Sequence, residues 1–582
     1  MGKKTTSSSL SEGVHQHRMN IRRRSTTLCL LLALLLAAAG CAVSPGTPFS
    51  RSEPVSLSPE AKAMYAYLKY MELKKADKPH KALQALKNAT SYAPSPELYL
   101  EQARHYWGRG KLDAARETIQ SGLQKFPGQG DLVRHLARLF IEQDNLDNAT
   151  SLLSVYLRQH GGDPATVADL AQIYMREERY AKARELLQSV PSERRTPRIH
   201  FLLGQSRLEQ NQPDKAIPHL REAVEADKEY LKAWARLGFA QEKSGNYTEA
   251  KRAYSVLLER GRENDELLLK LAELDLKLNN PDRAMEYVRR DPSGPEFLFR
   301  SCSLFLQSGF YDRAEEILGM IPESAREDGR SHYYRAVIAL RRDQSLQDAM
   351  KHLQGIPSSS RMHRKGLLLK ARIQFRDQDQ EEALETARQG RRDYPGSASF
   401  WILESRILLE QDRPQRARDI LQQGLQAISD PSRLWSQLAI VEHELGNSDK
   451  ALQYMRRLLE KEPENASALN FIGYTLVEQE RDLDKAGRLI RQALKLDPGN
   501  PYYLDSLAWY QFKTDNSAKA WETIQKAVAQ VRDDPKIWEH YADIAFDLEK
   551  REEARKGYSK ALELNPDDPQ SLRDKLERIS GS

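Results

Sequence analysis

The side chains able to do chemistry are few, and their spacing does not suit catalysis. Cys29, Cys41 and Cys302 are the three thiols; no two share a CxxC spacing, which speaks against a disulfide framework or a thiolate metal centre. His443-Glu444 opens an HExxH-like string, but Asn447 stands where the second metal-binding histidine is required. Gly108-Arg109-Gly110-Lys111 lacks the earlier glycine and the following Ser or Thr of a phosphate loop, with Leu112 in the place of the magnesium-binding hydroxyl. A GxSxG nucleophile elbow is absent. His540 and Asp543, one helical turn apart, read as a surface hydrogen bond rather than a metal site. Cys302 falls at a small-residue position of a helical pattern and reads as a buried structural thiol. The expectation is therefore no catalytic residue, no metal, no cofactor and no enzyme.

Cys41 is the exception. The apolar run Leu28 to Ala39 is twelve residues long, whereas a helix crossing the hydrocarbon needs about 20. Preceded by Arg22-Arg23-Arg24 and followed by small residues, it has the order of an export signal, 1–40, for which either Met1 or Met19 is the true start. Ala38-Ala39-Gly40-Cys41 resembles the lipobox of bacterial lipoproteins, although Ala38 stands where that family most often has Leu. The resemblance implies that the Cys41 thiol is alkylated by a diacylglycerol, that the leader is cut before it, and that the new amino group is acylated, as with palmitate. One acyl chain holds only marginally, at roughly 0.8 kcal/mol per buried methylene, so two or three make a stable anchor. Ala42, not Asp, follows the cysteine, which in that family favours the outer over the inner membrane. The alternative is an ordinary secretory signal with a chance cysteine. From 41 to 58 the chain, carrying Pro45, Pro48 and Pro54 among Ser, Gly and Thr, reads as a tether. At about 3.1 Å per residue it reaches up to roughly 50 Å.

Charge narrows the partners. Of the formal +6, Lys3, Lys4, Arg18, Arg22, Arg23 and Arg24 against Glu12 place +5 before Cys41. The remainder is close to neutral, which argues against nucleic acid, whose binding needs a concentrated basic face.

From Ala63 onward apolar residues recur at i, i+3, i+4 and i+7, the period of amphipathic helices. A small residue opens a second helix at Ala82, Ala115, Ala149, Ala183, Ala216, Ala250, Ala284, Ala314, Ala349, Ala383, Ala417, Ala451, Ala486, Ala520 and Ala554. The intervals are 33 or 34 residues, apart from one of 30 and two of 35. An aromatic or Leu stands sixteen before the alanine, a small residue twelve before, and often Pro twelve after, as in Trp435, Ala439, Ala451 and Pro463. This resembles the tetratricopeptide repeat over about residues 61 to 568. The resemblance implies an all-α fold, a right-handed superhelical solenoid of about fifteen helix-turn-helix units, with first helices on a concave face and second helices on a convex one.

Second helices should end early at Gln188-Ser189-Val190-Pro191, Asp291-Pro292-Ser293-Gly294-Pro295, Met320-Ile321-Pro322 and Gly355-Ile356-Pro357. We therefore expect an N-terminal array over 59–292, irregular central units over 293–395 with a change of pitch or a bend between about 290 and 360, a regular array over 396–568, and a polar capping helix and tail over 569–582. On the repeat register, Asn470 and Tyr474, Asp505 and Trp509, and Glu539 and Asp543 occupy concave positions of the last three units, with Phe512 and Phe546 one turn later. An aromatic floor edged by amide and carboxylate groups suits an extended or helical peptide. The opposing reading has Tyr474 and Trp509 packed between adjacent first helices. The Lys, Arg and Asn set of a carboxylate clamp is not matched, so a free C-terminal carboxylate is not the expected ligand.

Lipobox, tether and an array ending in ALNFIGYTL, YYLDSLAWYQFK and IWEHYADIAF together are similar to large lipid-anchored tetratricopeptide proteins of bacterial outer membranes. Among these are adaptors that bring peptidoglycan hydrolases to a periplasmic processing protease. That similarity implies a scaffold on the periplasmic side of the outer membrane, monomer or weak dimer, binding periplasmic protein or peptide partners. The alternative of a different class is a structural part of a polysaccharide or pilus export machine.

Overall fold

The computed structural model describes residues 57–290, 294–566 and 568–580. The leader, Cys41 and most of the tether lie outside them. The described residues contain no strand, and none of their helices is long and apolar enough to cross a membrane. They divide into two compact units, one ending at Arg195 and one beginning at Thr196. The first unit holds four antiparallel helix pairs, from Pro59–Lys75 to Tyr180–Gln188. The second holds eleven, from Pro197–Leu208 to Arg551–Glu563, with the one-turn helix Glu323–Arg326 between two of them and the terminal helix Pro569–Ser580 after the last. Each unit is a stack in which every pair packs on the next.

The alanine column is the reason the pairs close. All fifteen of those alanines have an exposure of 0%, because each sits where the second helix crosses the first at backbone contact. In most pairs the residue facing it is small as well. A Cβ on Gly204 would lie 2.5 Å from Leu220 Cγ, and one on Gly473 would lie 2.6 Å from Ile490 Cγ1 and 3.1 Å from the Ala486 carbonyl. Cys302 fills this position in its own repeat. It is fully buried, its Sγ lies 3.6 Å from the Ala314 carbonyl, and burial pushes its thiol pKa well up, so it is an inert packing group.

The turn between the two helices of every pair has a common device. Five residues before the crossing alanine, or six in the pair of Ala486, the chain passes through the left-handed region: Asp77, Gly110, Asp144, Glu178, Asn211, Gly245, Asn279, Gly309, Gln344, Gln378, Asp412, Gly446, Glu480, Asp515 and Glu549. That conformation reverses the chain within one residue, at a cost of about 1–2 kcal/mol for a side chain other than glycine. Glu549, at φ 59° and exposed, shows the price in its plainest form. Glu549→Gly is expected to stabilise the last pair by a few tenths to about 1 kcal/mol, glycine's own entropic cost of about 0.5–1 kcal/mol being deducted. A urea titration of both proteins checks it.

Eight of the fifteen first helices begin on side-chain caps, the last three among them. Asn465 Oδ1 accepts from the Ala468 N–H at 3.0 Å, Asn500 Oδ1 from those of Tyr502 and Tyr503, and Asp534 Oδ1 from those of Lys536 and Ile537. Pro501 and Pro535 follow their caps, where a missing N–H costs nothing.

Four second helices are short, ending at Gln188, Arg290, Met320 and Gln354, as the prolines led us to expect. Early termination leaves carbonyls without partners, and two of these ends recruit an arginine. Arg195 donates to the carbonyls of Val190 and Gln188 at 3.0 and 3.1 Å, and Arg326 to those of Ile321 and Gly319 at 2.9 and 3.1 Å. The strings VPSERR and IPESAR carry this motif. In IPSSSR the arginine, Arg361, instead approaches Asp328 at 3.6 Å.

The terminal helix is less polar than its charge suggests. Leu572 and Ile579 are buried against the last pair, so it closes the stack as an amphipathic lid.

Candidate functional site

The last three pairs of the second unit place the predicted residues on the first helices Ala466–Glu478, Pro501–Lys513 and Pro535–Asp547. Four of them meet around a residue assigned elsewhere by sequence: His540. Its side chain is not on the surface and does not pair with Asp543. It is wholly buried, and its Nδ1 lies 2.8 Å from Asp505 Oδ1. The physical reason is helical direction: a residue one step past Glu539 points back at the preceding first helix, not along its own. Trp509 stacks on the imidazole, centroids 4.0 Å apart and planes 12° from parallel, Phe512 stacks on Trp509 at 5.2 Å, and Tyr474 lies 6.2 Å from the imidazole.

Trp509 is 8% exposed and its indole N–H donates to Glu478 of the preceding unit. Burial, then the nearby Glu478 and Asp505 carboxylates, push the Tyr474 hydroxyl pKa far up. These are packing residues that join neighbouring first helices. The Asp505–His540 pair is sealed beneath them.

The carboxylates of the last unit are also engaged. Lys575, from the terminal helix, donates to Glu539 at 2.8 Å and to both oxygens of Asp543 at 2.9 Å, and Tyr558 donates to Asp543 as well. Burial alone would raise the Glu539 pKa, but Lys575 and Lys536 outweigh it and hold it below the usual carboxylate range. Asn470 is half-buried, with its Oδ1 sealed and without a hydrogen bond. Of the predicted set, Phe546 alone is a large exposed apolar group, at 45%; Phe512 is half-buried.

Sequence reasoning missed other apolar groups on this face. Trp509 and Asp543 stand eleven residues before their alanines, and at the same spacing the second unit carries Phe239 and Ile440, each 37% exposed. Met71 takes that place in the first unit, also exposed. The signal was present in the repeat register and was applied only to the C-terminal units.

Family models of the tetratricopeptide repeat match residues 106–165, 140–205, 207–263 and 243–293, residues 71–130, 368–432 and 437–501, and residues 535–568. A TPR repeat-containing protein of Pseudomonas aeruginosa is 30% identical over 155 residues, 26% of this chain and 25% of its own length. A human protein O-mannosyl-transferase is 25% identical over 194 residues, 32% of this chain and 22% of its own length. The match thus spans a quarter or less of these curated relatives. Among solved structures, a tetratricopeptide repeat protein from Parabacteroides merdae is 14% identical, with 99% of its chain covered by 44% of this one at a TM-score of 0.37. With crossing alanines, paired helices and family matches over residues 71–205, 207–293, 368–432, 437–501 and 535–568, the chain is a member of the tetratricopeptide repeat family.

Proposed function

We propose that this chain is a non-enzymatic scaffold, anchored through lipid on Cys41 to the outer membrane and facing the periplasm. Its first-helix face holds protein or peptide partners. As an adaptor it delivers substrates to a periplasmic protease or cell-wall hydrolase system. The observation that carries the binding role is the recurrence of exposed apolar side chains, Phe239 and Ile440, at one register position of the first helices. Isolated surface apolar residues are ordinary, but two that share a register position of the first helices offer apolar area that a bound peptide can bury. The anchoring role rests on the Ala38-Ala39-Gly40-Cys41 string.

Crosslinking in intact cells followed by mass spectrometry tests both parts. Periplasmic proteins should be captured by wild type and lost, by at least tenfold, in Phe239→Ala/Ile440→Ala/Phe546→Ala, whose stability should stay within about 0.5 kcal/mol per exposed site. Cys41→Ser should release the protein from the outer-membrane fraction and abolish palmitate incorporation. Capture unchanged in the triple variant refutes this binding face, and unchanged fractionation of Cys41→Ser refutes the anchor.

A further inference from the structure

A second cluster lies in the opening pair of the second unit. His200 stands on the helix Pro197–Leu208, sixteen residues before Ala216, at the position that holds Tyr99, Trp234, Trp401, Trp435 and Trp538 in other pairs. An imidazole in a position built for a large apolar ring calls for a polar partner, since burying an unpaired polar group costs several kcal/mol. His219 and Glu222 supply one from the companion helix Pro213–Ala226, where their i, i+3 spacing puts both on one face.

The three side chains converge. Glu222 Oε2 lies 2.7 Å from His200 Nδ1 and 3.6 Å from His219 Nδ1, and one donor atom of each residue falls within 4.8 Å of the others. The Nδ1 atoms of both histidines are sealed from solvent without a hydrogen bond of good geometry, although the His200 and His219 side chains are only 13% and 25% exposed and Glu222 opens to water at 53%. Two inward-turned nitrogens with one carboxylate oxygen between them form a donor set. The nearby Arg207 guanidinium is drawn aside to Gln212 Oε1 at 3.0 Å.

We propose that His200, His219 and Glu222 bind one divalent transition-metal ion, with Zn2+ the best match. Two imidazoles and one carboxylate are a nitrogen-rich set that Zn2+ accepts in tetrahedral geometry with water in the fourth position, whereas Ca2+ and Mg2+ require oxygen ligands. Ligands about 2.0–2.1 Å from a tetrahedral ion stand about 3.3 Å apart, a value bracketed by the 2.7 and 3.6 Å separations. The ion joins the first helix of the pair to the second, so its role is to staple the pair, and it stabilises the folded chain by mass action. The site does not depend on the partner-binding reading.

Calorimetric titration of the untagged full chain with Zn2+, repeated with Mg2+, tests this. The expected result is one Zn2+ equivalent with no Mg2+ counterpart, and an upward shift of the thermal midpoint with Zn2+. His219→Ala and Glu222→Gln, both at partly exposed positions and checked for helicity, should each weaken binding at least tenfold and lose the shift, while His352→Ala binds as wild type. Replacement by Co2+ should give the intense visible bands of a four-coordinate centre. Binding that survives both His219→Ala and Glu222→Gln, or Zn2+ heat no greater than that of Mg2+, overturns the proposal.

Discussion

Trp509→Ala is expected to cost about 3–5 kcal/mol, the range for deleting a large buried aromatic side chain. The indole fills the space between two first helices, covers the His540 ring at 4.0 Å, and donates to Glu478. Its removal opens a cavity and leaves a carboxylate of the preceding unit without its donor. Because stability in a repeat stack is a sum of nearest-neighbour terms, the loss should fall on the last three pairs and leave the pairs before Ala451 protected. Hydrogen exchange resolved along the chain checks this: amides of 466–563 should exchange much faster in the variant, with those of 196–290 unchanged. A uniform rise along the second unit would show that the stack melts as one body. Phe546→Ala makes the contrast, since that ring is exposed and its loss should leave exchange unaltered. Binding defects in Trp509→Ala therefore report folding, and those in Phe546→Ala report contact with a partner.

An effect of similar size is expected for Lys251→Met. Asp275 is fully buried on the helix Asp265–Lys277, and its Oδ1 accepts from Lys251 Nζ of the preceding helix at 2.7 Å. The other carboxylate oxygen is sealed without a hydrogen bond. Breaking such a pair from one side leaves an uncompensated charge in the interior, at about 3–5 kcal/mol. Lys251→Met/Asp275→Leu should recover most of the loss, since a well-packed apolar pair often equals a buried ion pair. Denaturant titrations of the three proteins at neutral pH decide it; a double variant as unstable as the single one would locate the effect in packing instead.

The fold was legible because its determinants are local and recur. A fully buried alanine every 33 or 34 residues marks a helix crossing wherever it is found, Cys302 could be assigned to packing from its place twelve residues before Ala314, and the prolines forecast the four short second helices. The side-chain partnerships were not legible. Trp509 meets Glu478 and His540 meets Asp505 across intervals of 31 and 35 residues, about one repeat. The register therefore says which unit a side chain can reach, while its direction decides which residue it touches. Lys575 shows the same limit: in sequence it is one of many charges on a polar helix, and in the fold it occupies Glu539 and Asp543. His200, His219 and Glu222 escaped notice because their convergence crosses a turn at a spacing that corresponds to no metal motif.

The left-handed turn has a wider consequence. Between Ala451 and Ala486 the interval is 35 residues, and the turn there holds two left-handed residues, Glu480 and Asp482, where the others hold one. The added residue is absorbed before the second helix begins, and Ala486 still reaches its crossing with no exposed surface. Each unit thus sets its own phase, so a length error in one is cancelled locally instead of being handed on to the next. An array built this way can gain or lose a residue at a turn in the course of evolution without every later contact being renegotiated.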